Sequence, residues 1–141
     1  MVAPDVLARR LLSLNEALSQ LEQRAPKLTA EALATDAMLE AAVERWLQVA
    51  IEACVDCAFH IVAEHGLPPP ETARAAFEEL ARAGVIDAAL AQKLGRAVGM
   101  RNVLVHDYTR VDRALLASAV RDDLGDLRAF GAKIAKLLPP G

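Results

Sequence analysis

Aromatic side chains are scarce in this chain: one Trp, one Tyr and three Phe among 141 residues, although 54% of the residues are hydrophobic. The apolar content is therefore mostly Ala, Leu and Val, a mix that favours packed helices over sheets, which draw on aromatic and β-branched residues. Long apolar runs are missing as well. No uninterrupted stretch approaches the roughly 18 to 20 residues that span a bilayer, and the start Met1-Val2-Ala3-Pro4-Asp5 lacks the basic-then-apolar pattern of a secretion signal. A cytoplasmic protein without membrane contact is expected. Cysteine is limited to Cys54 and Cys57, a lone C-x-x-C with no second pair to complete a zinc site and no secreted context for a disulfide. Both are expected to be small buried helix residues. His60 and His65 stand five apart, where metal ligands on a helix more typically stand three or four apart. No metal and no cofactor is expected.

Positive charge is in deficit overall, the formal net charge being -3. That argues against a generic nucleic-acid binder, but the distribution matters more than the sum. Residues 1–91 carry seven Lys/Arg against fourteen Asp/Glu, whereas residues 92–113 carry five against two. One basic segment is embedded in an acidic protein.

What is abundant is helical periodicity. Val6, Leu7, Leu11, Leu14, Leu18 and Leu21 form an apolar stripe that predicts a helix from about Pro4 to Arg24. Ala25-Pro26 interrupts it, and Thr29 can open a second helical stretch, with Thr35 or Asp36 as a later cap. The longest periodic run extends from about Asp36 to His65, with Leu39, Val43, Leu47, Ile51, Cys54 and Ala58 on one broad face. Glu40, Glu44, Gln48, Glu52, Asp56 and His60 advance by four along another. Gly66 and the three prolines from Pro68 to Pro70 end that helix. A further helix spans about Glu71 to Arg82 and stops at Gly84, and Asp87 caps the next, which carries Leu90, Leu94 and Val98. Gly95 and Gly99 share a face there, which suggests close approach of another backbone, that of a partner subunit included. A last helix is predicted from about Asp112 to Leu138. With short connections and no strand pattern, the expected fold is all-α: one domain over residues 1–141, an up-and-down antiparallel bundle of four to five helices.

Composition and periodicity stop at a helical bundle. The segment Arg101-Asn102-Val103-Leu104-Val105-His106-Asp107-Tyr108 goes further, because it resembles the R-x4-H-x-Y signature of HepT-like toxins of the HEPN superfamily. Its setting is similar too: Glu44-Arg45-Trp46-Leu47-Gln48 and the run from His60 to Pro68 resemble that family's long central helix. Phe77-Glu78-Glu79-Leu80 with Gly84-Val85-Ile86 resembles its third helix and turn. An Arg and a His five apart mean little alone; their place after this ordered set of helices is what makes the pattern specific.

The resemblance implies a metal-independent endoribonuclease that works as a homodimer, the two motifs facing each other across a cleft. It further implies a minimal nucleotidyltransferase antitoxin as partner, able to transfer AMP to Tyr108. The residue types suit this chemistry. Cleavage of RNA through its own 2′-hydroxyl needs a proton acceptor, a proton donor and positive charge for the transition state. Imidazole changes charge near neutral pH, which makes His106 the candidate acid/base, and the forked guanidinium of Arg101 suits a phosphate. At 100° per residue Arg101 and His106 lie about 140° apart around a helix, while Asn102 and His106 differ by about 40°. Asn102 is thus expected to touch His106 and orient the imidazole or the scissile phosphate, and Arg101 to reach round or serve the His106 of the other subunit. Arg96, Arg110 and Arg113 are candidates for the RNA backbone. Glu52 and Asp56 are candidates for orienting Arg101 or His106.

Without the resemblance, other readings stand. Arg101 also suits a surface ion pair with Asp107 or Asp112, His106 a helix C-terminus, and Tyr108 simple packing on the bundle. At the level of function, the alternative is a non-catalytic dimeric module that binds nucleotides or a partner and acts with a nucleotidyltransferase.

Overall fold

Five of the helices begin where a short polar side chain takes over an otherwise unpaired amide. The computed structural model describes residues 4–106 and 112–139, the side chains of residues 4 and 104–106 excepted. Among the described residues the chain forms seven helices: α1 (Pro4–Arg24), α2 (Ala30–Thr35), α3 (Ala37–Glu64), α4 (Ala73–Arg82), α5 (Ala88–His106), α6 (Arg113–Asp122) and α7 (Leu124–Leu137). A single 3-10 turn, Ala25–Lys27, joins α1 to α2. Side-chain oxygens of Thr29, Asp36, Thr72, Asp87 and Asp112 accept from amides three residues on, at 2.7 to 3.1 Å, and so open α2 to α6.

The ends of α3 and α4 are equally local in origin. Gly66 (φ 64°) and Gly84 (φ 78°) occupy the left-handed region, where a side chain would be strained. In each case the next residue's amide bonds back across the turn, Leu67 N to Val62 O at 3.1 Å and Val85 N to Leu80 O at 2.9 Å. This is the glycine stop that reverses a helix and returns an apolar residue to the core. Leu67 and Val85 both pack against it.

The architecture is the expected all-α bundle, with two differences. The short stretch opened by Thr29 is a helix of its own, and the helix expected from Asp112 to Leu138 is broken at Asp123 into α6 and α7. The break falls in Asp122-Asp123-Leu124-Gly125, residues that hold a helix weakly. It turns the chain so that Leu116 and Val120 on one side, and Leu127, Phe130 and Ile134 on the other, all reach the core. The Asp123 carboxyl is pushed up by burial and by its neighbours Asp126 and Asp122.

α3 is the axis, with α1, α2, α4, α5 and α7 packed along it. By length and composition it could cross a membrane, but its apolar positions from Val43 to Val62 are core residues covered by other helices. Phe77 of α4 and Phe130 of α7 meet edge to face, centroids 5.5 Å apart at 84°, and both rings are buried. No polar or charged residue among those described is fully buried. Gly95 is explained within the subunit: Arg74 of α4 lies across it, its Nη2 donating to Gly95 O at 3.0 Å, so what approaches is a side chain and not a second backbone. Gly99 faces open space.

Two outcomes test this packing. Phe130→Ala removes half of the aromatic contact and leaves a cavity, so urea denaturation is expected to show a loss of about 3 to 5 kcal/mol; a loss near zero would contradict a core centred on that ring. Cys54 and Cys57 are free and buried. Burial pushes both thiols up, Cys57 to about 12 with Asp56 adding to the shift. Because the thiolate is the reactive form, iodoacetamide at about pH 8 is expected to leave both untouched in the folded protein and to label both in urea. Rapid labelling of folded protein would count against it.

Candidate active site

α5 presents a different surface on every side, and its residue spacing explains how. Ala91, Leu94 and Val98 are buried against α3 and α4. Arg101, three residues on from Val98, continues that inward stripe at the point where it leaves the core. Its side chain is only 21% exposed, and its Nη1 donates to Glu52 Oε1 of α3 at 3.3 Å. Asn102 Oδ1 accepts from Nε and Nη2 of the same guanidinium, at 3.3 and 2.9 Å. Arg101 is thus gripped from two sides. Of the five N–H groups a guanidinium offers, three are engaged among the described residues.

The contact expected between Asn102 and His106 involves a side chain outside the described residues; what the structure adds is that the Asn102 oxygen takes the adjacent Arg101 guanidinium. α5 is helical through His106, so the backbone offset between Arg101 and His106 is that of a continuous helix. The side chain of His106, together with Tyr108 and Arg110, lies outside the described residues.

The acidic row on α3 proves to be a series of anchor points for arginines of other helices. Glu40 binds Arg113 of α6 through both carboxylate oxygens. Glu52 holds Arg101 of α5, and Asp56 holds Arg10 of α1 at 3.2 Å. Of the two carboxylates proposed to orient the motif, then, the fold brings Glu52 to Arg101, while Asp56 faces α1. Glu44 sits between with its carboxyl raised, by burial first and then by Glu40, and Arg113 partly offsets this.

The candidate RNA-contacting arginines are dispersed. Arg113 is committed to Glu40. Arg96 is exposed on another side of α5, beside Asp123, at the rim of an apolar cavity of about 330 Å³ between α3, α5, α6 and α7. His65 bonds its own helix, Nδ1 to Ile61 O at 3.0 Å. Among the described residues no three His, Cys, Asp or Glu side chains gather as a metal site would require. Sequence reasoning gave Arg10 no role and placed Glu40 in the acidic row without assigning it one; the row of carboxylates advancing by four was the one available signal, and it names no partners.

Known proteins resemble this chain in sequence and fold. The family described as ribonuclease HepT-like matches residues 14–134. The mRNA nuclease HepT of Shewanella oneidensis is 36% identical over 84 residues, 60% of this chain and 63% of that protein, so the chain spans somewhat under two thirds of that relative. A solved structure of a tri-AMPylated HEPN toxin from Shewanella oneidensis, in complex with MNT antitoxin, superimposes with a TM-score of 0.84 at 27% identity, covering 94% of this chain and 98% of that one. YutE of Bacillus subtilis has the same fold at 16% identity, with a TM-score of 0.84 over 99% of this chain and 96% of its own. With the match running from the middle of α1 to the last turn of α7, the chain belongs to the ribonuclease HepT-like family.

Proposed function

We propose that this chain is the toxin of a toxin-antitoxin pair, a cytoplasmic, metal-independent endoribonuclease that works as a homodimer and is held in check by a minimal nucleotidyltransferase. The observation that carries the reading is the guanidinium of Arg101, fixed by Glu52 and Asn102 at the rim of the core with its side chain still partly open to solvent. A cation held in place before substrate arrives stabilises a phosphorane-like transition state without reorganising. The family and the complexed relative support the same assignment.

The chemistry needs few groups. An imidazole takes the proton of the ribose 2′-hydroxyl as that oxygen attacks the adjacent phosphorus, and a second proton donor protonates the departing 5′-oxygen. His106 supplies the titrating group, and two subunits supply two of them. Arg101 bears on the phosphoryl oxygens, Asn102 and Glu52 set its direction, and Arg96 and Arg110 attract the RNA backbone. The products are a 2′,3′-cyclic phosphate and a free 5′-hydroxyl. AMP on Tyr108, two residues from His106, would place a bulky anion where substrate phosphates must lie, which accounts for inhibition by modification.

Three outcomes test this. Protein freed of partner and unmodified is expected to cleave RNA in the presence of chelator and leave cyclic phosphate ends; no cleavage would point instead to the non-catalytic binding module. His106→Ala is expected to lose about 10² to 10⁴ in rate while remaining a folded dimer, and full activity in that variant would sink the mechanism. Glu52→Ala frees the guanidinium to wander, so cleavage is expected to fall about tenfold with RNA affinity little changed; a large loss of affinity at constant rate would show that Glu52 does not act through Arg101's geometry.

A further inference from the structure

The acidic row on α3 does more than grip Arg101. We infer that Glu40 is a positioning residue for the same site: through Arg113 it fixes the N-terminus of α6, the far end of the short connection that leaves α5 at His106. This rests on the ribonuclease reading for its catalytic consequence, while the anchor itself is independent of it.

The argument begins with spacing. Glu40 and Glu52 are twelve residues apart on one continuous helix, which sets them about 18 Å apart along its axis at about 1.5 Å per residue. Each holds an arginine from a helix that borders the motif: Arg101 five residues before His106, Arg113 seven residues after it. The Arg113 contact is two-pronged, Nε to Oε2 and Nη2 to Oε1, the geometry that fixes direction as well as distance. Asp112, immediately before, caps α6 through Leu115 N at 3.1 Å and Leu116 N at 2.9 Å. The first turn of α6 is therefore tied down twice, once by its own cap and once by α3. Glu44, one turn along and within the field of Arg113, offers the guanidinium a second acceptor.

The two arginines thus have different tasks although both lie near the motif. Arg101 is divided between a carboxylate and an amide oxygen, whereas Arg113 makes a two-pronged contact with the single carboxylate of Glu40, which offsets its charge and suits it to anchoring α6. Both ends of the motif connection are referenced to the same rigid helix. A displacement of α6 by an ångström would shift the chain next to His106, and misplacement on that scale is enough to slow a positioned reaction.

The test compares Glu40→Gln, Glu40→Gln/Glu44→Gln, Arg113→Gln and the exchanged pair Glu40→Arg/Arg113→Glu in the full-length protein. Because the ion pair is partly exposed, melting temperatures are expected to stay within about 3 °C of the parent. The double Gln variant and Arg113→Gln are expected to lose about tenfold in turnover on a short RNA, with KM within about twofold. Hydrogen exchange at Leu115 and Leu116 should quicken in both variants, and the exchanged pair should recover turnover and exchange together. Unchanged turnover in the double variant, or no recovery in the exchanged pair, would overturn the proposal. So would a rise in KM confined to Arg113→Gln, since that marks a direct RNA contact. Should the parent protein not cleave RNA at all, the ribonuclease reading fails, and the exchange measurement alone decides the anchor: unaltered protection of Leu115 and Leu116 would refute it.

Discussion

α3 is packed against five other helices, and its half-buried carboxylates lie between the faces so covered. Its buried positions recur at helical spacing from Val43 to Val62. Hydrophobic burial of this kind is strong but non-directional: it brings helices together without settling how far each slides along the axis. The carboxylates at Glu40, Glu52 and Asp56 add reference points, each taken by an arginine from a different helix. Each pair adds little to stability by itself, since all are partly exposed. Their contribution is register.

The candidate site lies where this logic reaches the surface. With no fully buried polar residue among those described, the core has nothing to catalyse with, and chemistry is confined to its rim. Arg101 is placed there by being the next member of the Leu94 and Val98 stripe, close enough to the core to be held and near enough to water to meet a substrate. Partial burial strengthens its contacts with Glu52 and Asn102 relative to water while leaving part of the guanidinium side chain open to solvent. The other faces of α5 have other duties, Gly95 receiving Arg74 and Arg96 standing beside the apolar cavity.

Much of this was legible in the residues. The glycine stops at Gly66 and Gly84, the caps at Thr29, Asp36 and Asp87, and the buried C-x-x-C all follow from neighbours within four positions, and all stand in the structure as read. The break at Asp123 was missed because the apolar period continues through it: Leu116, Val120, Leu124 and Leu127 keep helical spacing while the axis turns. The bond between Arg101 and Asn102 was not foreseen for a different reason: helical angle gives the direction of a side chain but does not reveal that an adjacent long guanidinium folds back onto it.

By itself, then, the sequence determined the helices, their ends, the faces they bury and the motif's place near the end of α5, because each depends on backbone hydrogen bonds and side-chain spacing over a turn or two. Only the tertiary structure decided which carboxylate holds which arginine. The partners are 49 residues apart for Arg101 and Glu52, and 73 for Arg113 and Glu40. Charge alone makes every arginine a match for every acid on the row; the pairing is selected by how the apolar faces of α1 and α5 seat on α3 and how α6 packs against α2 and α7, and that is a property of the packed molecule.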